Sequence, residues 1–537
     1  MSNRRFVLSS AAALAGALTL VRRVRAAAPL ALSAEERALH ALNRLGYGPR
    51  PADAAAIAQQ GAGPWLDRFL AEQLTPRRLP QPEALTERLA GLDVLQLDQA
   101  TLLGRYRDAI KAAREARRDK AEGAADLMAP AMGAGGAAGM AVDKAPPADA
   151  ANAVRDKIRP LVIQAGTARL ARALQSPAQL EEVLVDFWFN HFNVFAGKGP
   201  VGVLVADYEQ HAIRPHVLGR FRDLLGATAK HPAMLHYLDN DKSVVAGFEP
   251  PRAARRLLDR QPELKARMPN GLNENYAREL MELHTLGVDG GYSQRDVTEL
   301  ARMLTGWGLD SRKALLGGHG DLFAFEARRH DPGVKTWLGE QIQPAGQAEG
   351  EHALDVLASH PATARHLAFK FAQAFVADTP PASLVSRLAD SFKASGGDLR
   401  ELTRTLMQSD EFWSREAYQA KFKTPYQYLL SSLRAVDAPL SNPGPLLGAL
   451  VQAGQPLYGA GTPDGYKNTA AAWRNPEALT QRVQFATTLG QRSGVSAERL
   501  MGTLGASVSE PTRRTLAAEP AGQQVALLLA SPDFMKR

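Results

Sequence analysis

The chain has 537 residues, 45% of them hydrophobic, as expected for a globular protein with a sizeable core. It contains no cysteine, which excludes disulfides, thiolate metal sites and cysteine nucleophiles. The formal net charge is +8, but five arginines lie in the first 26 residues, and the remaining chain carries about +3. So small an excess does not indicate nucleic-acid binding.

The first 26 residues have the pattern of an export signal. Arg4 and Arg5 precede an apolar stretch from Phe6 to Val21, and a candidate cleavage end follows at Val24, Arg25 and Ala26. The stretch is shorter than the roughly 20 residues of a membrane-spanning helix. We therefore predict a twin-arginine-type signal peptide over residues 1–26, recognised by the twin-arginine translocase, and a soluble periplasmic or secreted protein without stable membrane insertion. A general secretory signal and an uncleaved anchor are the alternatives.

Helical periodicity dominates the rest of the chain, and convincing alternating strands are absent. The prediction is an all-α, multi-helical globular protein with long loops and a low-complexity insertion. The expected regions are an N-terminal helical region, a low-complexity linker of Ala, Gly, Met and Pro, a central helical domain, and a C-terminal helical region: 27–122, 123–150, 151–430 and 431–537.

An aromatic-rich segment from Leu180 to Phe195 places His191 within the apolar face of a helix. His191 is either a buried core histidine or an acid/base or ligand residue. Asn190 lies on the polar flank, where it either caps the segment or lines a pocket. Further on, Asp239 and Asn240 end another helix, as turn formers or as a carboxylate-and-amide cluster for a hard cation or sugar hydroxyls.

The segment 269–309 predicts a helix with one strongly polar face. That face carries three carboxylates, an amide and a guanidinium, from Glu274, Asn275, Arg278, Glu279 and Glu282. One interpretation is an exposed ladder of weak ion pairs. The other is a cleft wall, where crowding raises the pKa of one carboxyl group and leaves an acid beside a base.

A loop at 328–339 places His330 beside Asp331, before Pro332 and Gly333. The pair either supplies a base or a ligand, or simply forms the turn. Metalloprotease, serine-hydrolase-elbow, phosphate-loop and di-iron signatures are absent.

Several segments resemble the bacterial Domain of Unknown Function 1800 family. They are HALNRLGYGPRPAD from His40, DFWFNHFNVF from Asp186, IRPHVLGRFRDLLGATAKHPAMLHYLDN from Ile213, NENYARELMELHTLG from Asn273, HDPGVKTWLG from His330, FVADTPP from Phe375 and GQPLYGAGTPDGYKNTAAAW from Gly454. The chain departs from the family pattern at Phe189, where a histidine is usual, and at Tyr466, where a tryptophan is usual.

This resemblance implies an exported protein, paired with a co-exported protein similar to sulfatases and alkaline phosphatases. It also marks a set of motif residues: Asn190, His191, Arg214, Asp239, Asn240, Asn273, Glu274, Asn275, Arg278, Glu279, Glu282, His330 and Asp331. Asparagines around Glu274 favour a pocket that needs both donors and acceptors.

The first functional hypothesis is a hydrolase or lyase acting on a polyhydroxylated, glycan-like substrate. Its catalytic candidates are Glu274, Glu279, Glu282, His191 and His330; its substrate-binding candidates are Asn190, Arg214, Asp239, Asn240, Asn273, Asn275, Arg278 and Asp331. The alternative is a non-enzymatic binding or assembly partner of the co-exported protein. A weaker alternative is metal binding through Asp239, Asp331, His330 and the glutamates. The sequence identifies no cofactor.

Overall fold

The computed structural model describes residues 31–126, 148–250, 271–310 and 318–537, with residues 252, 255, 256, 259, 312 and 313 besides. The predicted signal peptide and most of the predicted low-complexity linker lie outside these residues. The helices on either side of the linker end at Asp126 and begin at Ala148. None of the described helices is long and apolar enough to cross a membrane.

Helices make up most of the described chain, which confirms the all-α prediction. Up to the middle of the chain they are α1 Ala34–Arg44, α2 Pro51–Gln60, α3 Ala62–Gln73, α4 Glu83–Ala90, α5 Gln99–Asp126, α6 Ala148–Gln175, α7 Gln179–His191, α8 Val201–Asp207, α9 Phe221–Lys230, α10 Pro232–Tyr237, α11 Glu274–Glu282 and α12 Gln294–Met303. After them come α13 Gln347–Ser359, α14 Pro361–Phe375, α15 Ala382–Ala394, α16 Leu399–Met407, α17 Pro425–Ala435, α18 Gly444–Gln452, α19 Ala470–Trp473, α20 Pro476–Ser493, α21 Ala497–Leu504, α22 Glu510–Ala517 and α23 Ala521–Leu529.

Helix starts follow local capping chemistry. At the start of α1, the side chain of Ser33 accepts a hydrogen bond from Glu36 N, and Ser33 N donates to the Glu36 carboxylate at 2.8 Å. Ser293 and Asp296 form the same reciprocal pair at the start of α12. Each pair satisfies backbone N–H groups that the first helical turn leaves without partners.

Two small antiparallel hairpins interrupt the helices between α12 and α13. Strands β1 (Trp307–Leu309) and β2 (Phe323–Phe325) pair with each other, as do β3 (Lys335–Trp337) and β4 (Glu340–Ile342). Three-residue strands are too short to produce an alternating pattern in the sequence, and the hairpins are therefore additions that periodicity did not predict.

One large apolar core runs from Ala38 in α1 to Tyr458, just after α18. A second, smaller core joins one side of α17 to the C-terminal helices α20–α23. Helix α17 contributes to both cores, with Leu430 in the first and Tyr428 in the second. The C-terminal helices are thereby tied to the main body through this buried helix, and α21 also packs against α2.

A buried charged network lies where α6 and α7 pack together. The Arg169 guanidinium pairs with Asp186 at 2.5 Å and with Glu209 at 3.2 Å, and Phe189 and Tyr458 lie against it. Because burying a charge without a partner is costly, these pairs hold the two helices in a defined position. Burial raises the pKa of Asp186, although Arg169 opposes the shift.

Candidate functional site

His330 and Asp331 lie in a closed network beside the second hairpin. His330 Nε2 is 3.0 Å from Glu349 Oε1, and Lys335 Nζ lies 2.6 Å from the other carboxylate oxygen of this glutamate. Asp331 makes two bonds with Arg302, at 2.8 and 3.1 Å, and accepts one from Gly333 N. These contacts join α12, the β3–β4 hairpin and α13, so both residues have a structural part in the fold.

Asp239, Asn240 and Asn273 lie at the turn after α10 and at the start of α11. Asp239 has a left-handed backbone (φ 59°), and its carboxylate pairs with Lys198 and Lys242, each at 2.6 Å. The buried Asn240 amide donates to the carbonyl oxygens of Leu304 and Trp307. Asn273 caps α11 and donates to Leu238 O at 2.6 Å. Ion pairs engage Asp239, long-range hydrogen bonds engage Asn240, and helix capping engages Asn273, so each side chain has a structural role.

Arg214 belongs to the buried charged network. Its guanidinium makes a two-bond contact with Glu182, at 2.7 and 2.9 Å, and lies 3.7 Å from Glu209. With both ends occupied by carboxylates, it has a structural role in joining the segment after α8 to α7.

Helix α11 presents the polar face that the sequence predicts, and its members differ in how they are engaged. Glu274 accepts bonds from Gln294 at 2.8 Å and Thr298 at 2.6 Å, while Arg278 donates to Gln294. Glu282 accepts a long bond from Tyr292 at 3.4 Å, and Asn275 is exposed. The contacts of Glu274 and Arg278 join α11 to α12.

Glu279 is the carboxylate of that face left without such a contact. Within the described chain its half-buried carboxylate makes no hydrogen bond. Burial raises its pKa above the ordinary value of 4.5, and the negative charges of Glu282 and Asp464 raise it further against the opposing charge of Arg278. A protonated carboxyl group at this position can donate a proton.

Asp464 has the opposite electrostatic environment. It lies in the glycine-containing loop 459–467, and its carboxylate accepts bonds from Thr462 and Lys467, each at 2.6 Å. Burial alone would raise its pKa, but these two bonds outweigh burial and lower the pKa below its ordinary 3.8. At a pH between the two pKa values, Asp464 is therefore ionised while Glu279 is protonated.

Asn190, Asn193 and Tyr237 hold this loop in place. The Asn190 side chain bonds both backbone polar groups of Tyr466, at 2.7 and 2.9 Å. Asn193 donates to the carbonyl oxygens of Ala460 and Thr462, and the Tyr237 hydroxyl donates to Gly461 O at 3.0 Å. Asn190 thus acts as a clamp on the loop, a role that the sequence did not predict.

Lys370 on α14 adds a cation of altered basicity. Burial lowers its pKa to about 8, with the charges of Asp464 and Lys467 acting in opposite directions. Burial also raises the pKa of Tyr237 to about 12, with smaller effects from Glu279 and Asp464. Tyr237, Glu279, Lys370, Asp464 and Lys467 are called here the Glu279 cluster.

His191 lies behind this cluster rather than in it. The ring is 1% exposed, Nε2 is 3.1 Å from His284 O, and Nδ1 has no partner in the described structure. Burial holds its pKa well below 6.5, and the charge of Lys370 lowers it further. His284 and His366 surround it with pKa values lowered to about 3 and about 4, chiefly by burial. The three rings form a neutral layer beneath Lys370.

Of the predicted site residues, the structure places Glu279 and Glu282 near the cluster and Asn190 in the support of its loop. Asp464, Lys370 and Tyr237 were missed. Asp464 and Lys467 lie in the segment GQPLYGAGTPDGYKNTAAAW, whose glycines and motif character were a usable signal. Lys370 has no local signal, because its neighbours come from segments distant in sequence.

Among the described residues, no group of three or more His, Asp and Glu side chains is arranged to hold a metal ion. A family model described as "Protein of unknown function (DUF1800)" matches residues 40–536, which is nearly the whole chain. No curated protein and no solved structure is significantly similar to it.

Proposed function

This chain belongs to the DUF1800 family, whose description assigns no activity. From the contacts and charges of its own residues, we propose that it is a hydrolase or lyase acting on a polyhydroxylated, glycan-like substrate. The observation that carries the proposal is the pair Glu279 and Asp464, whose environments shift their pKa values in opposite directions. Such a pair supplies an acid and a base at one pH.

In the proposed reaction Glu279 gives its proton to the oxygen of the leaving group. Asp464 accepts the proton lost by the attacking water in hydrolysis, or by a substrate carbon in elimination. Each route moves one proton onto Asp464 and one off Glu279. Lys370 lies beside Asp464 and provides a positive charge for an anionic substrate group or a developing oxyanion.

The supporting residues extend this assignment to substrate binding. Tyr237, Lys467 and Asn275 offer hydroxyl, ammonium and amide groups of the kind that bind sugar hydroxyls. Asn190 and Asn193 act indirectly, as positioning residues that fix the loop carrying Asp464.

The test is a screen of purified protein against bacterial and plant polysaccharides, with detection of new reducing ends and of the ultraviolet absorbance of unsaturated products. Reducing ends without absorbance identify hydrolysis, and absorbance identifies elimination. Glu279→Gln and Asp464→Asn are each expected to lower turnover at least about 100-fold, a usual loss for an acid or base residue. Asp289→Asn, on an exposed loop, is the matched control.

Full turnover in both variants would contradict the proposal. A stoichiometric co-exported companion, recovered from cells together with an inactive wild-type protein, would support the assembly-partner alternative instead.

We also propose that residues 1–26 direct export by the twin-arginine route. The proposal rests on Arg4 and Arg5 before the apolar stretch. Replacing both with lysine is expected to leave the protein in the cytoplasm, as measured by cell fractionation. Unchanged export of the double variant would reject this route.

A further inference from the structure

A small cavity lies against loop 459–467, with Asn190, Tyr466 and Lys467 in its lining. Its volume is about 70 Å³, and because one water needs roughly 10–15 Å³, there is room for about five waters or one small oxyanion. Asp186, Asn190, Gln427, Gln455 and Arg537 are among the side chains that line it. The Lys467 side chain, 70% exposed, also lines the cavity and marks where it reaches the surface.

The two glutamines present donors to this space. Gln427 Oε1 accepts a bond from Thr424 N at 3.1 Å, and Gln455 Oε1 accepts one from Tyr426 N at 2.9 Å. These bonds fix the orientation of both amides, because only the oxygen can accept from a backbone N–H. In the described structure neither amide nitrogen donates to a protein group, although the two side chains are only 9% and 7% exposed.

Arg537 adds a cation with spare donors. The buried guanidinium donates to Ala374 O at 2.9 Å, its Nε has no partner in the described structure, and none of the described carboxylates lies within ion-pair distance of it. Burial lowers its pKa to about 10, so it is still charged at neutral pH. Arg44 and Lys421 lie nearby. The negative charge of Asp378 acts to raise the pKa values of Arg44, Lys421 and Arg537 against the effect of burial.

The start of helix α17 reinforces the positive character of the cavity. Thr424, the capping residue of this 11-residue helix, lines the cavity. The first turn of a helix carries a partial positive charge, which favours an anion beside it. Asp186 is the carboxylate in the lining, and its Oδ1 is bonded to Arg169. Among the polar groups of the lining, the two glutamine amides and the Arg537 guanidinium therefore present buried donors and a positive charge, beside the Asp186 carboxylate that Arg169 holds.

We propose that this cavity is a binding site for a small oxyanion, either a carboxylate, phosphate or sulfate group of a larger molecule or the free ion. The amides of Gln427 and Gln455 and the guanidinium of Arg537 donate to it. The site shares Lys467 with the Glu279 cluster, but it does not require that the cluster be catalytic.

Isosteric introduction of a negative charge provides a sharp test, measured by isothermal titration calorimetry with sodium sulfate, sodium phosphate and sodium glucuronate. Gln427→Glu and Gln455→Glu keep the oxygen that accepts from the backbone, and glutamate is also favoured at the capping position of Gln427, so both variants are expected to fold. Each places a carboxylate in the cavity, and anion binding is expected to weaken at least about tenfold. Gln523→Glu, on the exposed face of α23, is the matched control and should bind like the wild type.

Tighter binding of glucuronate than of the inorganic ions would assign the site to a sugar acid, and the reverse order would assign it to a free ion; both support the proposal. It is overturned if the wild type binds none of the three saturably, or if both glutamate variants bind as the wild type does. Circular dichroism melting of each variant without added anion establishes that the fold is retained.

Discussion

The side chain of Asn190 accepts a hydrogen bond from Tyr466 N and donates one to Tyr466 O, at 2.7 and 2.9 Å. One amide at the end of α7 thereby satisfies both backbone groups of a residue that follows it by 276 positions. The bonds close one side of the loop that carries Asp464. Because this contact is specific in both donor and acceptor, it fixes the path of the loop as well as its distance from the helix.

Gly465 makes that approach possible, and its replacement should disrupt it. Its φ is +67°, and a Cβ atom there would lie 2.4 Å from Asn190 O. Gly465→Ala is expected to lower the free energy of unfolding by about 2–4 kcal/mol, from backbone strain and steric overlap together. Urea denaturation measures this change.

Gly494→Ala is the control for that experiment. Gly494 has nearly the same φ, +64°, with nothing within 4 Å of the added Cβ. The Gly494→Ala variant should lose only the free energy of unfolding that a left-handed backbone costs, about 1 kcal/mol. Equal losses in the two variants would contradict the importance of the close approach to Asn190.

The opposite pKa shifts of Glu279 and Asp464 predict an acidic optimum for any turnover at this cluster. Turnover should rise as the pH passes the lowered pKa of Asp464, below 3.8, because the base must be ionised. It should fall as the pH passes the raised pKa of Glu279, above 4.5, because the acid must be protonated. A pH–rate profile measures both limbs, and an optimum on the alkaline side would assign the chemistry to other groups.

The charge of Lys370 depresses the pKa values of the histidines beneath it. Lys370→Met removes a positive charge next to His366 and His284, so their pKa values should rise from about 4 and about 3. Both should remain below 6.5, because burial is the larger cause. Titration followed by NMR measures the shifts, and Lys393→Met, on the exposed part of α15, should leave them unchanged.

Arg169 is predicted to be essential to the stability of the main core. Arg169→Met leaves Asp186 and Glu209 without their shared cation and should lower the free energy of unfolding by about 3–5 kcal/mol. Arg68→Met removes an exposed pair with Glu72 and should cost less than about 1 kcal/mol. Equal losses in urea denaturation would mean that the buried network contributes little.

Local sequence patterns predicted the helices of this protein better than the long-range contacts between them. The capping pairs of Ser33 and Ser293, for example, join residues only three positions apart, so they depend on local spacing alone. The pairing of His330 with Glu349 involves a segment 19 residues away, beyond a hairpin whose strands are too short to recognise. The His330 contact therefore needed the structure.

The polar face of α11 depends on both the local sequence and the tertiary structure. By itself the sequence determined that Glu274, Glu279 and Glu282 share one side of a helix, since 100° per residue is a local property. Only the tertiary structure decided that α12 engages Glu274 while Glu279 stands near Asp464, because desolvation and charge depend on neighbours brought together by folding. The sequence thus established the all-helical fold and the family resemblance. Long-range packing determined that Glu279, unlike Glu274, lacks a hydrogen-bond partner among the described residues, and it raised the pKa of Glu279.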